Sequence, residues 1–219
     1  MFQNITPITK NIIILNVIIF ILAMLIPQSY QYLAAFFPTS PYFKSWQIIT
    51  HMFMHGGFMH IAFNMLTFAS FGPVLERFLG EKKFVILYFL SGLGAFVLFN
   101  LWEYYQLYQD AQPLIVEGLQ FSDILKGDFE KFPVRLEGNA QNIVNILSTP
   151  MVGASGAIFG VIAAFSLLYP NAEMFIMFIP FPIKAKVLFP IAIIVSLYLG
   201  FSGSEIGRAS CRERVSSPV

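Results

Sequence analysis

The sequence predicts an all-α, polytopic membrane helix bundle, and three observations carry that reading. Hydrophobic residues make up 57% of the 219 positions and charged residues only 11%. A soluble domain keeps roughly 25% charged residues to cover its surface, so lipid is the solvent for much of this chain. The apolar residues are also gathered into runs long enough to cross a bilayer, which takes about 20 helical residues. Finally, lysines and arginines flank those runs on alternate sides, as the positive-inside tendency requires.

Five spans are expected: Asn11–Pro27, Met59–Leu79, Phe84–Trp102, Gly153–Tyr169 and Lys186–Phe201. The first is a span rather than a cleavable signal, because no small-residue cleavage site follows Ile12–Ile26. Between the last two, Asn171–Ile183 is apolar but holds Pro180 and Pro182. Proline removes a helix donor, so this stretch reads as a broken interfacial segment.

Orientation follows from Lys10 before the first span, Arg77, Lys82 and Lys83 between the second and third, and Lys184 and Lys186 before the fifth. These ends share one side if the N terminus is cytoplasmic. The segment 103–150 carries seven acidic and three basic residues and falls on the other side. It is an extracytoplasmic insert, either a solvated linker or a substrate-contacting subdomain, with short helices expected around Phe121–Phe132. A net charge of +1 gives no electrostatic case for nucleic acid. The single cysteine, Cys211, allows no internal disulfide and has no metal-site spacing.

Two clusters carry chemistry. His51, His55 and His60 are the only histidines, and Asn64 follows them. Gly56 and Gly57 mark a turn into a helix beginning near Phe58, which leaves His51 and His55 in the preceding loop. On that helix His60 and Asn64, four apart, share a face. Polar groups at membrane depth face a bundle interior or a water-filled cavity, and four together point to function rather than to interhelical bonding alone. The second cluster is Gly153-Ala-Ser155-Gly156, opening the fourth span. Gly156 and Gly160 also have the GxxxG spacing of a packing seam. With both spans running inward from the outer side, Ser155 and the histidines are expected at one depth, as nucleophilic attack on a carbonyl with waiting donors requires.

The string His51-Met-Phe-Met-His55-Gly-Gly-Phe-Met-His60-Ile-Ala-Phe-Asn64, with Gly153-Ala-Ser155-Gly156 and Glu76-Arg77-Phe78-Leu79-Gly80, resembles the rhomboid family of intramembrane serine proteases. The resemblance covers nearly all of the chain up to about residue 203. It implies a Ser–His dyad with Ser155 as nucleophile, and oxyanion stabilisation by His60, Asn64 and the Ser155 amide. It gives supporting places to His51, His55, Gly153, Gly156 and Phe159. It further implies single-pass transmembrane proteins as substrates and no cofactor or metal. Two departures stand out. Trp46-Gln47 replaces the family's frequent Trp-Arg, and Phe159 replaces a frequent tyrosine, keeping a ring face on which the base could stack.

In the family the general base is a histidine on a sixth span, and no histidine follows His60 here. Five of six core helices are therefore expected, residues 1–204 forming an incomplete membrane domain that is itself inactive. Glu205–Val215 holds three of the chain's five arginines. It resembles the in-frame translation of a sequencing-library adapter, so residues 205–219 read as a non-native tail. The expected setting is a bacterial inner membrane, with the active site open to the outer side and the lipid bilayer as the chain's other partner. Two other classes compete: a non-catalytic rhomboid-like protein that binds transmembrane helices, and a metal transporter using His51 and His55. A binder has no need of Ser155, His60 and Asn64 together. Two imidazoles without an acidic partner make a poor metal site.

Overall fold

The computed structural model describes residues 5–128, 138–174, 183–187, 189–191 and 193–194. In order these form α1 (Pro7–Leu25), α2 (Ser29–Leu33), α3 (Gln47–Thr50), a 3₁₀ turn (His51–Phe53), α4 (Phe58–Leu79), α5 (Glu81–Val116), α6 (Phe121–Lys126), α7 (Asn139–Ser148) and α8 (Ser155–Leu168). The architecture is all-α. Among the described residues, β1 (Glu173–Met174) and β2 (Ile183–Lys184) pair antiparallel, and Ala35 and Met151 form an isolated antiparallel bridge. The chain divides into two compact units: one of Met1–Ile14, Gly56–Ser91 and Ala157–Val219, the other of Leu15–His55 and Gly92–Gly156.

In the first unit, the start of α1 and the end of α4 are tied together by one buried carboxylate. Pro7 opens α1, where its missing N–H costs nothing. The next free donors of that turn, the amides of Ile8 and Thr9, reach Glu76 of α4 at 3.0 and 2.8 Å. The Thr9 hydroxyl donates to the same carboxylate at 2.8 Å, and the Thr6 hydroxyl donates to it as well. An anion among the free N–H groups of a helix N terminus is favoured by the helix dipole. The first turn of α1 and the last turns of α4 are thereby fixed to each other. Gly80 ends α4 with φ at 77°, a left-handed conformation that glycine adopts cheaply, and α5 starts at the next residue. The core is aromatic. Phe68 stacks on Phe84 at 5.9 Å and meets Tyr88 at 5.2 Å, and Phe71 meets Phe165 of α8 edge-on at 5.1 Å.

In the second unit, α5 runs on to Val116, although its expected span ended at Trp102. Its 36 residues reach about 54 Å at 1.5 Å per residue, far beyond a hydrocarbon core of about 30 Å. The extension holds because Leu107, Ala111 and Leu114 share one face and bury it with Phe37, Ile124 of α6, and Ala140, Ile143 and Leu147 of α7. The described part of segment 103–150 is thus a packed helical subdomain and not a solvated linker. The short helix expected around Phe121–Phe132 is α6, ending at Lys126, while residues 129–132 lie outside the described part. Helix α7 is a further short helix of this segment.

Among the described residues three helices, α1, α4 and α5, are long and apolar enough to cross a membrane, and α8 is a shorter apolar helix of 14 residues. The chain is an integral, multi-pass membrane protein. Compared with the expected spans, α1 begins four residues earlier and α4 one residue earlier, while α8 begins two residues later, at Ser155. The prolines of the expected interfacial segment lie outside the described residues, but its two ends form the β1–β2 pair. Of the fifth expected span, the described residues between 186 and 194 are helical; the remainder to Phe201, and the whole of 205–219, lie outside the described part.

Candidate active site

Ser155 is the first residue of α8, half-buried at the helix's free N-terminal amides. The chain leading to it is held tightly within the second unit. Met151 and Ala35 exchange backbone hydrogen bonds of 2.7 and 3.0 Å, and the Ser40 hydroxyl donates to the Leu147 carbonyl at 2.6 Å. The Gly153 amide donates to the carbonyl of His51 at 2.9 Å. Gly153 has φ at 123°, which β-carbon-bearing residues rarely adopt, so the glycine here is a backbone requirement. The run from α7 into Ser155 is therefore strapped to the loop that carries His51 and His55.

That loop is organised by Gln47, whose side chain is fully buried. Its carbonyl oxygen accepts from the amides of Lys44 at 3.0 Å and Phe36 at 3.4 Å, and its amide nitrogen donates to the Gln31 carbonyl at 3.0 Å. Its backbone carbonyl lies 2.9 Å from His51 Nδ1. A carbonyl can only accept, so Nδ1 carries the proton and neutral His51 keeps its lone pair on Nε2. Burial pushes the His51 imidazole below its ordinary range, against the opposing pull of its backbone hydrogen bonds. Its ring lies 5.5 Å from Phe96. His55 is buried as well, two residues past the 3₁₀ turn.

His60, Asn64 and Phe159 belong to the first unit. As expected, α4 begins at Phe58 behind Gly57, placing His60 and Asn64 one turn apart on one helix. The Gly56 amide donates to His60 Nδ1 at 3.4 Å, and Asn64 is buried. Phe159 is half-buried, one turn beyond Ser155 on α8. Among the described residues no three His, Cys, Asp or Glu side chains are grouped to hold a metal ion.

The GxxxG spacing is a packing seam, and its partner is α5. A β-carbon added at Gly156 would collide with Ala95, and one at Gly160 with Ser91. Gly92 in turn admits Met52, whose Sδ would lie 2.7 Å from a β-carbon there. Sequence reasoning missed Ser91, Gly92 and Ala95, although the small residues of Ser91-Gly-Leu-Gly-Ala95 were the available signal. It also read Gln47 only as a lost charge. Nothing local shows that an uncharged amide satisfies four backbone groups, the amides of Phe36 and Lys44 and the carbonyls of Gln31 and Tyr42, since these partners lie up to 16 residues away.

Residues 42–122 and 128–210 match the family described as "Rhomboid domain". The chain is similar to "Rhomboid protein 1, mitochondrial" of Saccharomyces cerevisiae, 32% identical over 142 residues, or 65% of this chain and 30% of the relative. It is also similar to "Rhomboid protease GlpG" of Klebsiella pneumoniae, 32% identical over 93 residues, or 42% of this chain and 34% of the relative. A further relative is "Rhomboid-like protease 3" of Toxoplasma gondii, 28% identical over 90 residues, or 37% and 34%. The matched stretches span about a third of the length of these relatives.

Proposed function

The chain belongs to the rhomboid family, and from that membership we propose that it is an intramembrane serine endopeptidase acting on single-pass transmembrane proteins. The observation that carries the reading is the Gly153–His51 bond, which straps the lead-in of Ser155 to the histidine loop. A nucleophile needs its backbone fixed, because catalysis depends on donors and attacking atom being preorganised.

Ser155 attacks the scissile carbonyl, and its proton passes to a histidine carried on a sixth membrane helix of the natural gene product. A serine hydroxyl is a weak nucleophile until such a base takes its proton. The developing oxyanion is held by the Ser155 amide at the start of α8, by His60 and by Asn64. Phe159 offers a ring face for the base. The protein is proposed to sit in a bacterial inner membrane with a cytoplasmic N terminus and segment 103–150 outside.

The test is cleavage of a transmembrane reporter by the natural full-length protein. Ser155→Ala should abolish it, since loss of a nucleophile in a comparable hydrolase costs on the order of 10⁶ in rate. Asn64→Ala should leave roughly 10⁻²–10⁻³ of the rate with folding intact. Cleavage that survives Ser155→Ala would sink the proposal. A folded full-length protein that retains the reporter helix without cutting it would favour the non-catalytic binding role.

A further inference from the structure

Within the first unit, α1 and α4 leave a groove of about 490 Å³ between them. Lys10, Ile13 and Ile14 form its α1 wall, and Ala62, Leu66 and Ala69 line the α4 side. Both sets have the spacing of one helix face, so the groove runs along the helices. The two alanines make it: their short side chains leave a hollow where α4 would otherwise present leucine-sized groups. Only one charged residue lines the hollow, Lys10, and it sits in the first turn of α1.

The chemistry of that lining is selective. An apolar trough in a membrane helix pair fits a hydrocarbon chain, and an exposed ammonium at its end fits an anion. A lysine near a helix end reaches the head-group layer along its flexible stem. The neighbouring carboxylate, Glu76, is directed at Thr6, Ile8 and Thr9 and accepts four hydrogen bonds from them. We propose that this groove binds one anionic glycerophospholipid, its phosphate on Lys10 and one acyl chain against Ala62, Leu66 and Ala69. Basic pockets between membrane helices hold lipid head groups by this combination of charge and trough.

The proposal stands apart from proteolysis and is tested without activity. The full chain is purified in detergent, and native mass spectrometry measures retention of added phosphatidylglycerol against phosphatidylcholine. Phosphatidylglycerol should be retained about five-fold better, the factor one lysine supplies near an anionic surface. Lys10→Glu should remove the preference, and Lys10→Met, which keeps an apolar stem, should do the same without reversing charge. Ala69→Phe should weaken retention of both lipids by filling the trough, while Lys83→Glu, away from the groove, should change neither. Equal retention of the two lipids by the natural sequence overturns the proposal. So does a loss in Lys83→Glu as large as in Lys10→Glu, which would mark diffuse charge attraction. Full retention by a folded Ala69→Phe protein, judged by an unchanged unfolding midpoint, overturns the acyl-chain seat.

Discussion

The backbone amide of Gly153 donates to the carbonyl of His51 across 2.9 Å, joining segments about 100 residues apart just before Ser155. The same His51 is held from the other side by the Gln47 carbonyl at its Nδ1. One backbone bond thus passes the order of a buried loop to the start of α8.

Gly153→Ala tests that link. The conformation at φ 123° strains any side chain, at about 1–3 kcal/mol. Ser155 should react with a fluorophosphonate probe at least several-fold more slowly. Gly94→Ala is the control, because a β-carbon there meets nothing within 4 Å. Equal labelling of the two variants would show that the bond does not position Ser155.

Glu76 is predicted to be a determinant of stability rather than of chemistry. Removing the carboxylate in Glu76→Ala strands the amides of Ile8 and Thr9 in α1's first turn. Hydrogen bonds to a charged group contribute about 1.5–3 kcal/mol each, so the loss should be at least of that size. Glu76→Gln retains one acceptor oxygen and should lose less. Denaturant unfolding in micelles measures the order, and unchanged stability in the alanine variant would remove Glu76 from this role.

The α5–α8 seam yields a paired test. Gly160→Ala should destabilise by about 1–3 kcal/mol, because the new methyl meets the Ser91 side chain. Ser91→Gly in the same protein should recover most of that loss, a coupling that distant, independent sites do not show. Additive losses in the double variant would mean that the clash is relieved elsewhere.

Membrane sidedness can be read at α6. Ser122 is exposed, so a Ser122→Cys label in a Cys211→Ser background should react with an impermeant thiol reagent in intact cells. Labelling only after permeabilisation would invert the proposed orientation, and with it the side on which Ser155 opens.

Where helices start and stop around the chemistry is legible in the order of residues alone. Gly80 after Leu79 and Gly153 before Ser155, both at positive φ, set those ends through backbone freedom, a property of each residue and its immediate neighbours. Membrane residence was equally legible, because hydropathy sums along a single run. What those elements meet is settled by packing in three dimensions. The spacing of Leu107, Ala111 and Leu114 shows a face to be buried but not that Ile143 and Leu147 of α7 would cover it. Likewise, Glu76 is one acid in a charged helix end until Thr6, Ile8 and Thr9 arrive from 67 to 70 residues away. Burial and hydrogen bonding are satisfied by pairs, and a one-dimensional pattern records one member of a pair at a time.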